Sequence, residues 1–193
     1  MLAIPFPGSD QLVATLDRAL RQGPGVDDVT DTIRRELCRL MRDDTVQLPA
    51  CVFEPNQAHY ARRELYRSES YGYAVTAMTW APGQSAPIHD HHGLWCVEGV
   101  WHGALEITQY ELIEHASDRY RLNAMGTIEA GTGSAGSLIP PHEYHAIGNP
   151  SRRETAVSLH VYSAPMTRCS VFVPTDGSWY RRDEKQLSLD RVN

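Results

Sequence analysis

A short segment of the chain, PIHDHHGLWC from Pro87 to Cys96, contains three histidines and a cysteine. Imidazole nitrogens and thiolate sulfur are both good ligands of transition metals, so all four side chains are candidates to bind one ion. Side chains two residues apart on a β-strand point to the same face. We therefore expect His89 and His91 to point together. Asp90 between them points the other way, as does His92 unless the backbone bends.

A third metal ligand is predicted at His145, in the segment PPHEYHAIGN, which follows a strand-like GSLI segment and a proline turn. Three imidazoles that meet inside a β-barrel form an open metal site, with coordination positions left for substrate or water. Other histidines have no partner at a matching spacing, and we interpret them as structural or turn residues: His59, His102, His115 and His142.

The first quarter of the chain is predicted to be helical. The segments SDQLVATLDRALRQG and DDVTDTIRRELCRLMRD both repeat apolar residues at the spacing of an amphipathic helix. Ser9 or Asp10 can cap the first helix, and Gly23 can end it. Cys38 falls within the apolar pattern of the second helix and is interpreted as a core residue. We expect both helices to cover one side of the structure that follows.

From about Val52 onward, the pattern changes to short segments rich in β-branched and aromatic residues, separated by Gly, Pro and Asn turns. Examples are YGYAVTAMTW, GALEITQYEL and TAVSLHVYS. Many short strands at nearly even spacing indicate a β-sandwich or β-barrel. We therefore predict a single domain over residues 1–193, with a helical segment at about 1–48 and a β-barrel at about 49–193.

Composition and charge narrow the class of protein. The chain has 193 residues and a formal charge of -6, and its 18 Lys+Arg are scattered among 24 Asp+Glu, which argues against nucleic-acid binding. No apolar run is long enough to span a bilayer, and the start, MLAIPFPGSDQL, lacks the features of a signal peptide. The four cysteines have no paired spacing, so free thiols in a cytoplasmic protein are expected.

Two spaced motifs in the chain resemble those of the cupin family. The first consists of five residues separated by five, one, four and six intervening residues: Gly83, His89, His91, Cys96 and Gly103. The second consists of three residues separated by four and three intervening residues: Pro140, His145 and Asn149. Ser134 and His142 stand where the second motif normally has glycine. The resemblance covers roughly residues 83–149 and implies an all-β cupin jelly-roll β-barrel.

The first motif departs from the cupin pattern at Cys96, where cupins usually have a glutamate. Three neutral imidazoles without that carboxylate leave a more positive metal with more open positions, which favours an anionic soft donor such as a substrate thiolate. A cysteine at this position, together with three histidines, resembles the cysteine dioxygenase family of cupin-fold thiol dioxygenases. We place Cys96 beside the metal and not among its ligands.

The segment SLHVYS extends this resemblance. Strand alternation places Ser158, His160 and Tyr162 on one face and three apolar residues on the other. Cysteine dioxygenases have the same Ser-x-His-x-Tyr pattern, which implies a hydrogen-bonded relay inside the barrel, with Tyr162 near the bound oxygen and His160 orienting it. The family's tyrosine can be joined to the cysteine by a thioether, which implies a partial, autocatalytic crosslink between Cys96 and Tyr162.

The segment HYARREL carries the last part of the resemblance. Tyr60 and Arg62 match the family's Tyr-x-Arg pattern, which implies that the guanidinium binds the substrate carboxylate with help from the tyrosine. Arg63 points the other way and is interpreted as a surface charge. Relatives that use 3-mercaptopropionate typically have Gln and Gly in place of Arg62 and Cys96, so these two residues favour L-cysteine. The flanking residues, such as PGQSAPIHDH and Trp95, look more like those of bacterial mercaptopropionate enzymes.

The resemblance implies an enzyme that binds Fe(2+) through His89, His91 and His145 and oxidises L-cysteine with O2 to cysteine sulfinic acid. It implies no organic cofactor, no external reductant and no obligate protein partner. Two alternatives stay open. One is a dioxygenase of 3-mercaptopropionate or another small thiol at the same site. The other is a cupin of a different class, either a zinc or manganese hydrolase or isomerase, or a non-catalytic sensor.

Overall fold

The computed structural model describes residues 1–23 and 25–191. Within these residues the chain forms two α-helices, one 3-10 turn and eleven β-strands. The helices are α1 (Ser9–Gln22) and α2 (Val26–Asp43), and the 3-10 turn is Ala50–Phe53. The strands are β1 (Ala61–Arg67), β2 (Ala74–Trp80), β3 (Ser85–His89), β4 (Cys96–His102), β5 (Ala104–Ala116), β6 (Arg119–Gly131), β7 (Ala135–Leu138), β8 (His145–Gly148), β9 (Ala156–Tyr162), β10 (Arg168–Pro174) and β11 (Trp179–Gln186).

Both predicted helices are confirmed, but the start of α1 differs from the prediction. The helix follows Gly8, which has a positive φ of 80°, and no side chain caps its first turn. The predicted cap by Ser9 or Asp10 is therefore wrong. A Cβ on Gly8 would lie 2.1 Å from the carbonyl oxygen of Thr45, so only glycine allows this close approach. Gly23 ends the helix as predicted.

The strands form two groups. Five strands make an antiparallel sheet in the order β1-β2-β9-β4-β7, and the other six close into a ring in the order β10-β11-β6-β5-β8-β3. The chain crosses repeatedly between the sheet and the ring, because β2, β4, β7 and β9 are each followed by a strand of the ring. This arrangement is the cupin jelly-roll barrel, and the predicted fold class is confirmed.

The turn from β4 to β5 explains why the first motif ends at Gly103. This residue has a positive φ of 74°, and an added Cβ would lie 3.0 Å from the carbonyl oxygen of Thr155. A side chain would be strained in its backbone conformation and in its contacts. Glycine therefore lets the chain leave the five-stranded sheet abruptly and enter the ring.

The outer face of the five-stranded sheet packs against the two helices. The buried residues of this core come from both helices and from alternate positions of β2, β4 and β9: Leu12, Leu16, Ile33, Leu37, Leu40, Val75, Ala77, Val97, Val157, Leu159 and Val161. Burying each of the larger side chains stabilises the fold by about 1.5–3 kcal/mol. Cys38, interpreted from the sequence as a core residue, is only partly buried. The helices thus cover one sheet face, and the opposite face is left for the barrel interior.

Neither helix of the described residues has the length and apolar character that a membrane crossing requires. All four cysteines are free thiols, as predicted, with Cys96 and Cys169 buried.

Candidate active site

Three histidines meet inside the barrel. His89 ends β3 and pairs in register with His145 at the start of β8, and His91 lies in the turn that follows β3. One nitrogen from each ring can be chosen so that all three lie within 4.8 Å of one another. His91 is not on the strand, so strand alternation does not explain its direction. The next residue, His92, has a positive φ of 53°, so the chain turns directly after His91.

Asp90 anchors this turn to the ring. Its Oδ1 accepts hydrogen bonds from the backbone N–H of Ser170 at 2.7 Å and of His92 at 3.1 Å. Asp90 therefore points away from the two neighbouring histidines and fixes the backbone that carries them.

Five further histidines are exposed and lie outside the three-histidine group: His59, His92, His102, His115 and His142.

The hydrogen bonds of two of these imidazoles leave their Nε2 atoms available. His89 Nδ1 lies 2.9 Å from the carbonyl oxygen of Pro87, and His145 Nδ1 lies 2.9 Å from that of Glu143. A carbonyl oxygen only accepts, so Nδ1 carries the proton and Nε2 keeps its lone pair. Nδ1 of His91 is buried without a hydrogen-bond partner among the described residues.

Burial lowers the pKa of His89, and it lowers the pKa values of His91 and His145 well below the usual histidine range, with neighbouring imidazoles adding to the effect. All three rings are therefore neutral at pH 7. Neutral imidazoles with free lone pairs are the form in which histidine binds a metal. The donor set thus fits a transition-metal ion.

A row of polar side chains lies beside the histidines on the inner face of β9. The Trp80 indole Nε1–H donates to Ser158 Oγ at 3.0 Å, and this Oγ lies 2.8 Å from His160 Nε2. Ser158 accepts from the indole, so its own proton can be donated to His160 Nε2. Burial lowers the pKa of His160 to about 3, which keeps the ring neutral. Its Nδ1–H then lies 3.4 Å from the Tyr162 hydroxyl oxygen.

Cys96 lies on β4, directly opposite Tyr162 on β9 in the strand register. Its Sγ is 3.8 Å from His160 Nδ1. Burial, with the charge of Glu98 adding to it, raises the pKa of this thiol well above its usual value, so the thiol is protonated at pH 7. Cys96 is not part of the three-histidine group.

Arg62 lies on β1 and is buried, with its guanidinium bonded only to carbonyl oxygens. Nη2 donates to Met166 O at 3.1 Å and Nη1 donates to Ser188 O at 3.3 Å. Nε has no hydrogen-bond partner among the described residues. The guanidinium lines a cavity of about 20 Å³ together with Tyr60, two of the three histidines and Tyr162. Tyr60 stacks on Trp80 with ring centroids 4.5 Å apart.

Arg63 does not occupy the surface, so its interpretation as a surface charge is wrong. It is 8% exposed, with Nη1 donating to Thr79 Oγ1 and Nη2 to Glu54 O, both at 3.0 Å. The chain around the 3-10 turn covers this face of β1, which local strand alternation cannot predict. The guanidinium makes enough hydrogen bonds there to offset part of the desolvation cost.

Glu98 is a site residue that the sequence analysis missed. It lies two residues after Cys96 on β4, so alternation from Cys96 into the barrel would have found it. Its Oε2 is 3.5 Å from His160 Nδ1 and 3.9 Å from His145 Nε2, and has no hydrogen-bond partner among the described residues. Burial raises the pKa of this carboxyl group to about 7.

Comparison with known proteins gives the family. The model of the family described as cysteine dioxygenase type I matches residues 51–174, a range that contains all nine predicted site residues. This chain belongs to the cysteine dioxygenase family. Membership supports the interpretation of this chain as a thiol dioxygenase, which is a kind of oxidoreductase. The three-histidine group is compatible with a metal-dependent member of this family.

Individual relatives are similar over about two thirds of the chain. The cysteine dioxygenase type 1 proteins of Rattus norvegicus and Bos taurus are 27% identical over 147 residues, which covers 67% of this chain and 68% of theirs. Among solved structures, a protein with a double-stranded β-helix domain from Klebsiella pneumoniae is 16% identical, covers 62% of this chain and 84% of its own, and has a TM-score of 0.47.

Proposed function

We propose that this protein is an iron(II)-dependent dioxygenase that converts L-cysteine and O2 to cysteine sulfinic acid. The observation that carries the proposal is the buried Arg62 guanidinium, whose hydrogen bonds among the described residues go only to carbonyl oxygens and which lines the same cavity as two of the candidate metal ligands. In the reaction the thiol sulfur loses four electrons, O2 accepts them, and both oxygen atoms end on sulfur. No external reductant is needed.

His89, His91 and His145 would hold the iron. When bound, iron(II) would bind the thiol as thiolate and activate dioxygen for transfer to sulfur. Because all three protein ligands are neutral, the full positive charge of the ion is available to an anionic sulfur donor. The carbonyl groups of Pro87 and Glu143 keep two of the rings in the Nε2-binding form.

Arg62 binds and orients the substrate carboxylate in this proposal. A planar guanidinium can donate two parallel hydrogen bonds to a carboxylate, and its attraction is strong where water is excluded. Tyr60, whose pKa burial raises, keeps its hydroxyl proton and can donate to the same carboxylate. The substrate thus enters the reaction with its sulfur held in a fixed position.

Tyr162 keeps a proton near the reacting sulfur. Burial, followed by the neighbouring Cys96, raises the pKa of Tyr162 well above its usual value, so its hydroxyl stays protonated at neutral pH. His160 fixes the position of this hydroxyl, and Ser158 and Trp80 fix His160. The row gives the cavity one oriented hydrogen-bond donor without adding charge.

We further propose that Cys96 and Tyr162 become joined by a thioether in part of the molecules. The cysteine S–H and one ring C–H of the tyrosine are lost, an S–C bond forms, and O2 accepts the two hydrogens. Intact mass spectrometry after turnover is expected to show a second species lighter by about 2 Da. Cys96→Ala should lack this species, whereas Cys169→Ala, which removes the other buried thiol, should keep it. The same mixture in Cys96→Ala would disprove the assignment.

Oxygen uptake and metal analysis test the function. The rate of oxygen uptake by the iron-loaded protein is measured separately with L-cysteine, 3-mercaptopropionate and cysteamine, and the product is identified by mass. We expect uptake to be fastest with L-cysteine and to yield the sulfinic acid with one O2 per thiol. A preference for 3-mercaptopropionate would change the proposed substrate but leave the proposed dioxygenase reaction unchanged. Full zinc occupancy without iron-dependent oxygen uptake would overturn the dioxygenase proposal.

A further inference from the structure

Two adjoining cavities form a side passage to the histidines, and Arg62 lines neither of them. The larger measures about 240 Å³ and reaches His145, and the smaller measures about 90 Å³ and reaches Ser158. Four residues line both cavities: Glu98, Ile107, Ile128 and Gly136. The side passage lies between β7, at the edge of the five-stranded sheet, and the β5–β6 hairpin. It therefore connects the protein surface with the candidate metal position.

The wall of the side passage suits an apolar solute. Its outer end carries Met125 and Ile128, which are 60% and 63% exposed, and its described residues include no lysine or arginine. Apart from Glu98 and His145, its polar side chains are engaged in hydrogen bonds to other groups: Gln109, Ser134, Ser137 and Ser158. A small molecule without polar groups gains by leaving water for such surroundings, whereas a charged thiol would lose its hydration there.

Gly136 keeps the side passage wide. It pairs with Glu98 in the β4–β7 register, so both residues face the barrel interior. A Cβ added to Gly136 would meet no heavy atom of the described residues within 4 Å, and φ at this residue is not positive. Neither close packing nor backbone conformation therefore requires glycine here, although glycine weakens a strand. A glycine inside a strand often marks a place that a ligand approaches closely.

The cavity beside Arg62 has no room for dioxygen once a thiol is bound. It measures about 20 Å³, which is comparable to the space that one water molecule occupies. In the proposed function the thiol fills this cavity, with its carboxylate on Arg62. His145 lines both this cavity and the side passage. The side passage thus reaches the same group of histidines from another direction.

We infer that the side passage is the route by which dioxygen reaches the histidine group, while the thiol enters beside Arg62. The inference rests on the proposed function, because it needs a reaction that consumes dioxygen. A separate route lets dioxygen arrive after the thiol is in place, and its apolar wall keeps charged thiols out. The ligand class of the passage is a small apolar gas, and Gly136 and Ile128 control its entry.

Gly136→Leu tests the inference by placing a side chain in the passage. In the iron-loaded protein we expect kcat/KM for dioxygen to fall about tenfold, because entry then waits for side-chain movement. KM for L-cysteine, and kcat at saturating dioxygen, should stay unchanged. Ile128→Trp, which narrows the exposed outer end, should also lower kcat/KM for dioxygen. Gly131→Leu is the matched control, since Gly131 has the same free space and no positive φ but lines neither cavity, so its kinetics should be unaltered.

Xenon gives a readout that needs no turnover. Xenon binds in apolar cavities that exclude water. Crystals of the unaltered protein under xenon pressure should therefore show xenon bound between Ile107 and Ile128. Crystals of Gly136→Leu should show less xenon there, and crystals of Gly131→Leu should show as much as the unaltered protein.

Several outcomes would overturn the inference. One is a passage that holds ordered water and no xenon. Another is an unchanged kcat/KM for dioxygen in both Gly136→Leu and Ile128→Trp, and a third is an equal rise in KM for dioxygen and L-cysteine, which would place both substrates on one route. Failure of the proposed function is distinct. In that case no thiol supports oxygen uptake by the unaltered protein, while xenon still occupies the passage and is excluded by Gly136→Leu.

Discussion

Replacing His145 by alanine is expected to lower both bound iron and thiol-dependent oxygen uptake by more than about 100-fold. His145 is the only one of the three histidines that comes from the second cupin motif. It is 1% exposed, and its Nδ1–H is held by the carbonyl of Glu143. Without it, only the imidazoles of His89, at the end of β3, and His91, in the following turn, are left, which is too few to retain the ion. Elemental analysis and an oxygen electrode measure the two effects.

His142→Ala is the matched control for this variant. His142 lies three residues earlier in the same turn and is exposed, so its loss should change neither iron content nor oxygen uptake. Thermal unfolding of the metal-free His145→Ala protein separates loss of the ion from loss of the fold. A His145→Ala protein that keeps full iron and full activity would show that the three-histidine group is not the metal site.

Arg62→Ala is expected to reduce kcat/KM for L-cysteine and 3-mercaptopropionate by about 100-fold, because two charge-assisted hydrogen bonds to the carboxylate are lost in a water-poor cavity. Cysteamine has no carboxylate, so its slower turnover should change little. The measurement is oxygen uptake with the three thiols side by side. A uniform loss with all three thiols would mean that Arg62 supports the fold and not the substrate.

Arg63→Ala controls for the loss of a buried guanidinium from β1. Its hydrogen bonds go to Thr79 and Glu54, so the variant should be less stable to heat but should keep the same order of preference among the thiols. A preference of the unaltered protein for cysteamine would contradict the role of Arg62 directly.

The two layers of the barrel supply different parts of the candidate site. The three histidines come from the ring, at β3, its following turn and β8. The five-stranded sheet supplies Arg62, Cys96, Glu98 and the polar row of β9. The residues of the candidate site therefore meet only when the two layers pack. Loosening the core between the helices and the sheet should disturb the site through the position of the sheet.

Local patterns in the sequence were sufficient for much of the fold. The 3.6-residue repeat of apolar side chains predicted both helices, because an amphipathic helix needs only its own residues to define its faces. The alternation in SLHVYS predicted the two faces of β9, and the structure has its apolar residues in the core under the helices. The resemblance of the two motifs to the cupin pattern predicted the barrel, and the turn at Gly103 shows why the first motif ends in glycine.

What the sequence by itself determined is thus the type of each element, the fold class and a short set of residues with suitable chemistry. Only the tertiary structure decided which buried groups touch. Arg63 is enclosed because the chain before β1 folds over it, and His91 meets His89 and His145 although it lies outside the strands. Glu98 faces two imidazoles from other strands. The physical reason is that strand pairing joins residues far apart in the chain, whereas periodicity reports only on near neighbours.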